Sequence, residues 1–351
     1  MMAEQGSGER KAWVDMGKGI AMYFVMLFHS EYYLPVSQFE FSPFVGYFNM
    51  PFFFFLSGYL FTSDYRHLSL RRKMEQVACR MVWTYLVFTT IIWLPKSMAN
   101  GSSAWEGFRD ILLGYASWFI VTLALSHTMW AIMIRLTKDQ HVYVAMMAMS
   151  IVVGGIIKVY HLEPLPYWFD RALLANFFLG LGFFYRQYEP QVERVARPSV
   201  SLFVLLALAY IIMVAIDKLW LGGYEIIFAP GDHHVFPYTL ACSLLGIAMM
   251  TVLVQIVRAP KALCFIGINS LTFYYLNGGV IRVLSMLSDR CGLTLAITDG
   301  AEGYSYIFTL LLSIVAALVI AFIAKAINRF APILTGDRQA ILRSLHYLRK
   351  N

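Results

Sequence analysis

Apolar stretches of about twenty residues recur through this chain, parted by short polar connections, and no other property restricts its fold as much. In hydrocarbon there is no water to satisfy a peptide N–H or C=O. A stretch of that length therefore crosses as a helix that bonds its own backbone. The pattern predicts ten such helices, over 13–34, 44–63, 79–95, 115–135, 142–159, 168–186, 199–220, 235–257, 263–285 and 304–328. Only 14% of the 351 residues are charged, against about 25% in soluble domains. The mean hydropathy of +0.61 excludes a water-soluble globule. The expected class is an all-α polytopic membrane protein with about ten transmembrane helices. A cytoplasmic segment is expected over 1–11, one membrane domain over 12–330 and a basic amphipathic tail over 331–351. The first stretch is expected to be retained, because Phe28-His29-Ser30-Glu31 is no small-residue cleavage site.

Charge sets the expected orientation. With the N-terminus inside, only Lys96, Arg109, Lys158, Arg171, Lys218, Arg282 and Arg290 of the 28 Lys and Arg fall outside. That is a strong positive-inside bias, and it places both termini in the cytoplasm. It also accounts for the net charge of +7 without nucleic acid, since the basic residues flank helix ends and have no stacking platform between them. Membrane lipids are the expected surroundings. Cys79, Cys242, Cys264 and Cys291 show no metal or disulfide spacing. Asp232-His233-His234 is an outer-loop pair of histidines without further ligands, so no metal is expected.

Lys18 and His29 stand eleven residues apart in the first stretch. Eleven steps of ~100° come to within ~20° of three full turns, so the two share a helix face about 16 Å apart along the axis. Asp15, Met22 and Val25 complete that stripe. Ionisable groups resist burial in lipid, which points the stripe at the protein interior. His29 has the chemistry of a general acid–base. Lys18 reads either as a lysine snorkelling to the interface or as a cation at the mouth of a cavity, held by Asp15.

Further along, Asn49-Met50-Pro51 precedes a phenylalanine run, and Pro51 is expected to kink that helix. Ser57-Gly58 supplies a small face for close helix approach. Arg71, Arg72, Lys73 and Arg80 read either as a topology-setting cluster or as a phosphate grip at the cytoplasmic mouth. Trp118-Phe119 has the character of an interfacial anchor. Asn269-Ser270 resembles an N-cap, and Asn277 is a mid-membrane amide that needs a partner.

Together these stretches resemble the acyltransferase-3 family of bacterial membrane acyltransferases, in particular its fucose 4-O-acetylase-like branch. The carriers are Asp15-x-x-Lys18-Gly19-Ile20 with His29 following, Asn49-Met50-Pro51 through Ser57-Gly58-Tyr59-Leu60, the basic entry ending in Arg80, Trp118-Phe119, and Ile266-Gly267-x-Asn269-Ser270-Leu271. The resemblance implies a multi-pass protein of the bacterial cytoplasmic (inner) membrane. Its implied reaction moves an acetyl or other acyl group from acetyl-CoA, a co-substrate and not a resident cofactor, to a hydroxyl of a surface glycan or lipid-linked sugar. Polysaccharide-biosynthesis proteins are the implied partners. His29 is implied as the essential histidine, with Lys18 in place of the family's Arg or Lys and Asp15 next to it in the catalytic set, stabilising the donor end or shaping the channel, and with Arg80, Arg72, Arg71 and Lys73 at the acyl donor. Ser57, Asn49, Trp118 and Asn277 are implied around the acceptor pocket. Three positions depart from the family pattern: Val77 replaces the first Arg of an Arg-x-x-Arg pair, and Asn49 and Asn277 replace histidines. The alternative is a non-catalytic exporter of polysaccharide or acyl groups within the same family.

Overall fold

The computed structural model describes residues 11–34, 41–61, 69–162, 164–221, 227–228, 235–293 and 302–341. Within them every regular element is helical. The order is α1 (Ala12–Tyr33), α2 (Ser42–Gly46), α3 (Asn49–Tyr59) and α4 (Leu70–Val77), then a π-helical turn (Ala78–Trp83) leading into α5 (Thr84–Ala99). There follow α6 (Ala104–Leu112), α7 (Trp118–Leu136), α8 (Gln140–Val159), α9 (Phe169–Val195), α10 (Val200–Trp220) and α11 (Phe236–Ile256). The last are α12 (Lys261–Ile268), α13 (Ser270–Arg290) and α14 (Glu302–Phe330), with a 3-10 turn over Pro332–Thr335.

Among the described residues six helices are long and apolar enough to cross a bilayer: Leu70–Ala99, Trp118–Leu136, Gln140–Val159, Val200–Trp220, Phe236–Ile256 and Tyr306–Phe330. The four other expected spans are helical too, and each carries a feature that keeps it from this group. Asp15, Lys18 and Glu31 dilute α1, Asp170, Arg171 and Arg186 dilute α9, and Thr272, Asn277 and Ser285 dilute α13. The second span is interrupted at Tyr47-Phe48, which leaves α3 with 11 residues, about 16 Å of helix.

Other local expectations are corrected as well. Pro51 stands in the first turn of α3, where a proline costs no hydrogen bond, so it starts the helix and does not kink it. The third span begins at Leu70, nine residues earlier than the hydropathy suggests, because Ser69 caps the Arg72 amide. The ninth span divides at Asn269, whose side chain does not cap α13. Its amide donates to the Phe265 carbonyl and its Oδ1 accepts from Asn328. The expected tail helix and the Asp232-His233-His234 loop fall largely or wholly outside the described residues.

α1 occupies the middle of the bundle, packed by α12, α13, α14, α3 and α11. Two close crossings fix the frame. At α1–α12, a Cβ on Gly267 would stand 2.8 Å from the Asp15 carbonyl carbon and 2.9 Å from the Gly19 nitrogen. At α3–α9, a Cβ on Gly58 would stand 2.7 Å from the Leu179 carbonyl carbon. Such approach is open only to glycine. Around α3 the phenylalanines form the densest part of the core. Phe53 and Phe54 meet Phe119, Phe54 also meets Phe228, and Phe55 meets Tyr185. α10 and α14 instead expose rows of leucine, isoleucine and valine, as surfaces against lipid do.

Candidate active site

The stripe read from the sequence lies on a helix surrounded by others. Asp15, Met22 and Val25 are buried, and Lys18 and His29 are half-buried. His29 sits near the C-terminal end of α1, its ring stacked on Tyr33 with centroids 6.3 Å apart, and the Lys96 ammonium acts on it electrostatically. The Tyr33 hydroxyl faces Gly278 of α13, one residue beyond Asn277. Asn277 is 2% exposed. Its amide turns back onto the Phe273 and Tyr274 carbonyls of its own helix, while its Oδ1 is buried without a hydrogen bond among the described residues. The partner that the sequence demanded is thus supplied only in half. Asn49, at the start of α3, likewise leaves a buried Oδ1 unsatisfied.

Ser57 belongs to a second station. The rings of Trp13 and Tyr59 are 4.8 Å apart, and Gly17 faces Leu56, so Ser57 lies alongside residues 13 to 17 of α1. His29 is 12 to 16 residues farther on, about 18–24 Å along the axis at 1.5 Å per residue. Ser57 therefore does not share a pocket with His29. Its hydroxyl is instead 2.8 Å from Nε2 of His127, halfway along α7. His127 is 5% exposed, and its Nδ1 has no hydrogen-bond partner among the described residues. Sequence reading missed His127, although the signal was present. A lone histidine inside an apolar stretch is the feature that drew attention to His29.

The four basic residues entering α4 are divided by helix geometry. Lys73 points inward at 6% exposure, donates to the Phe61 carbonyl at 3.0 Å and lies 3.8 Å over the Phe61 ring. Arg71 and Arg72 are exposed. Arg71 pairs with Glu75 at 3.2 Å, and Arg338 reaches the same carboxylate at 2.7 Å. Arg80 lies exposed on the π-helical turn. Its charge acts on Lys73, and the charges of Lys73 and Lys18 act on His127. Phe61 joins them in space: Lys73 lies over its ring, which is 5.3 Å from that of His127, so basic groups lead from the surface at Arg80 toward the Ser57–His127 pair.

Trp118 opens α7 with its ring 4.8 Å from the Arg171 guanidinium, which also lies 4.4 Å from the Trp168 ring. Tyr167 and Trp168 both take positive φ, at 56°. That conformation is strained for aromatic residues and persists where packing holds it.

Helices on every side of a central, ionisable α1 define a multi-pass membrane protein whose polar groups gather inside the bundle. The family model described as an acyltransferase domain, that of the acyltransferase-3 family, matches residues 11–326. The chain belongs to this family of membrane acyltransferases. No curated protein and no solved structure matches it.

Proposed function

We propose that the chain is an O-acyltransferase of the fucose 4-O-acetylase-like branch. It takes an acetyl group from cytoplasmic acetyl-CoA and gives it to a hydroxyl of a surface glycan or lipid-linked sugar. In this reading ten helices span a bacterial inner membrane with both termini inside, and the Arg80 end faces the cytoplasm. The observation that carries it is the Asp15–Lys18–Met22–Val25–His29 face on α1, a helix packed by five others, in a family acyltransferase.

The donor enters from the Arg80 end, since its phosphates cannot cross hydrocarbon. The acceptor enters from the His29 end. His29 removes the proton of the acceptor hydroxyl as that oxygen attacks the thioester carbonyl. The tetrahedral species collapses, the carbon–sulfur bond breaks, and the CoA thiolate takes up the proton held by His29. Asn277 and Asn49, each with an unsatisfied buried oxygen, orient hydroxyl groups by accepting from them.

The test is acetyl transfer from labelled acetyl-CoA by the purified full chain in lipid nanodiscs. His29→Ala is expected to lower the rate by about 10²–10⁴, the usual contribution of a general base, with the melting temperature retained. Transfer at the wild-type rate by that variant would overturn the assignment.

A further inference from the structure

Resting on that reading of the donor, we propose that Ser57, His127, Lys73 and Lys18 form a buried oxyanion site that takes a phosphoryl group of the acyl donor. The exposed Arg71 and Arg72 play no part in it. Three features converge on an anion. The Lys73 amine is buried, and its hydrogen bond is to a carbonyl, with no carboxylate partner among the described residues. Burying a cationic group without an opposite charge costs free energy that an arriving anion returns. His127 offers a second handle. Its Nε2 lies 2.8 Å from the Ser57 hydroxyl, and in the tautomer that accepts from that hydroxyl the buried Nδ1 is an N–H with no partner among the described residues. Lys18 directly follows the stretch of α1, residues 13 to 17, beside which Ser57 lies, and brings a further positive charge to that level of the bundle.

Geometry sets the class of ligand. The site lies about 16–24 Å from His29 along α1. A group bound there cannot be the reacting carbonyl if His29 is the base. It has to be the far, anionic end of an elongated donor whose reactive end reaches His29. A nucleotide-type thioester, with phosphates at one end of a thin arm and the acyl group at the other, has that form. Arg80 at the surface then collects the donor, and Lys73 draws its phosphate inward. The set also answers a local question. Val77 is buried apolar where the family pattern has arginine, and Lys73 lies one helical turn before it, facing the same interior.

The experiment is equilibrium binding to the full chain in nanodiscs of zwitterionic lipid. CoA, pantetheine (the same arm without phosphates) and inorganic pyrophosphate serve as probes. Lys73→Met and His127→Gln are each expected to weaken CoA binding roughly ten- to a hundredfold, the range for one lost charge-assisted hydrogen bond. Pantetheine binding stays unchanged, and Lys73→Arg restores most of the loss. Pyrophosphate competes with CoA on the wild type and ceases to compete on the variants. Melting curves and gel filtration identify a variant that fails to fold, in which case Ser57→Ala takes its place, with a severalfold loss expected. The inference is overturned if the wild type binds CoA and the variants bind it equally well, or if CoA and pantetheine weaken together. It is also overturned if pyrophosphate never competes while anionic lipid in the disc does, which would make the occupant a lipid headgroup. Failure of the wild type to bind CoA would instead sink the donor reading itself. His29→Ala keeps the two separate, because it is expected to slow transfer by about 10²–10⁴ and leave CoA affinity intact.

Discussion

Gly58→Ala tests the frame on which the Ser57–His127 station depends. In the α3–α9 crossing a Cβ at this position would stand 2.7 Å from the Leu179 carbonyl carbon and 2.9 Å from its Cα. Ordinary contact between carbon atoms is about 3.5–4.0 Å. The obstacle is backbone, so no rotamer change relieves it, and the two helices must part by about 1 Å. Overpacking of this kind costs about 1–3 kcal/mol. Alanine's better helix propensity returns at most about 1 kcal/mol. The net is destabilising by up to about 2 kcal/mol, on the order of 1–3 °C in melting temperature for a chain of this length. Gly279→Ala is the control, because a Cβ there meets nothing within 4 Å, and it is expected to be neutral or slightly stabilising. Thermal unfolding of both variants in the same detergent makes the comparison. The same separation disturbs the neighbouring Ser57 hydroxyl, 2.8 Å from His127, so Gly58→Ala should also weaken CoA binding. A Gly58→Ala protein that melts at or above the wild-type temperature would refute the packing argument.

Other expectations follow from single contacts. Ser103 and Glu106 form a reciprocal cap at the start of α6, so Ser103→Ala should cost about 1 kcal/mol of local stability, read as faster hydrogen exchange at the Glu106 amide. The same cap has a pH dependence. The Ser103 backbone N–H and then its hydroxyl hold the Glu106 carboxyl below its ordinary range. Its contribution is therefore present above the unfolded carboxylate value of ~4.3 and disappears as the pH falls through the lowered folded value. The protection of α6 amides relative to their intrinsic exchange rates should fall on acidification below pH ~4 in the wild type, and much less in Glu106→Gln. Trp83 Nε1 donates to the Ile333 carbonyl at 2.8 Å, and Trp83→Phe should loosen the Pro332–Thr335 segment by about 0.5–1.5 kcal/mol, seen as faster trypsin cleavage at Arg338.

The helical class was legible because hydrocarbon leaves the backbone so few choices, and α7, α8, α10 and α11 begin and end within three residues of their hydropathy limits. Where polar residues enter, the limits drifted. Hydropathy could not register that Arg71, Arg72 and Lys73 continue the helix of the third span, since charge marks an interface and not a helix end. Nor could it register the break at Tyr47-Phe48, where every residue is apolar. The Lys18–His29 face was readable from helical period alone. The Ser57–His127 pair was not. It joins residues 70 positions apart, on α3 and α7, and local periodicity does not encode which helices meet. The basic entry to α4 illustrates the same limit: three adjacent cations and Arg80 looked like one grip, yet a period of 3.6 sends Lys73 and Arg71 to different surroundings.

The α1–α12 crossing at Gly19 and Gly267 leaves no clearance for α1 to piston or swivel without a collision between main chains. Lys18 and His29 therefore behave as two marks on a fixed gauge, their spacing set by helical rise and immune to adjustment. A molecule that touches both marks must bring the matching length itself, so trimming or extending its linker should penalise turnover as sharply as removing either mark.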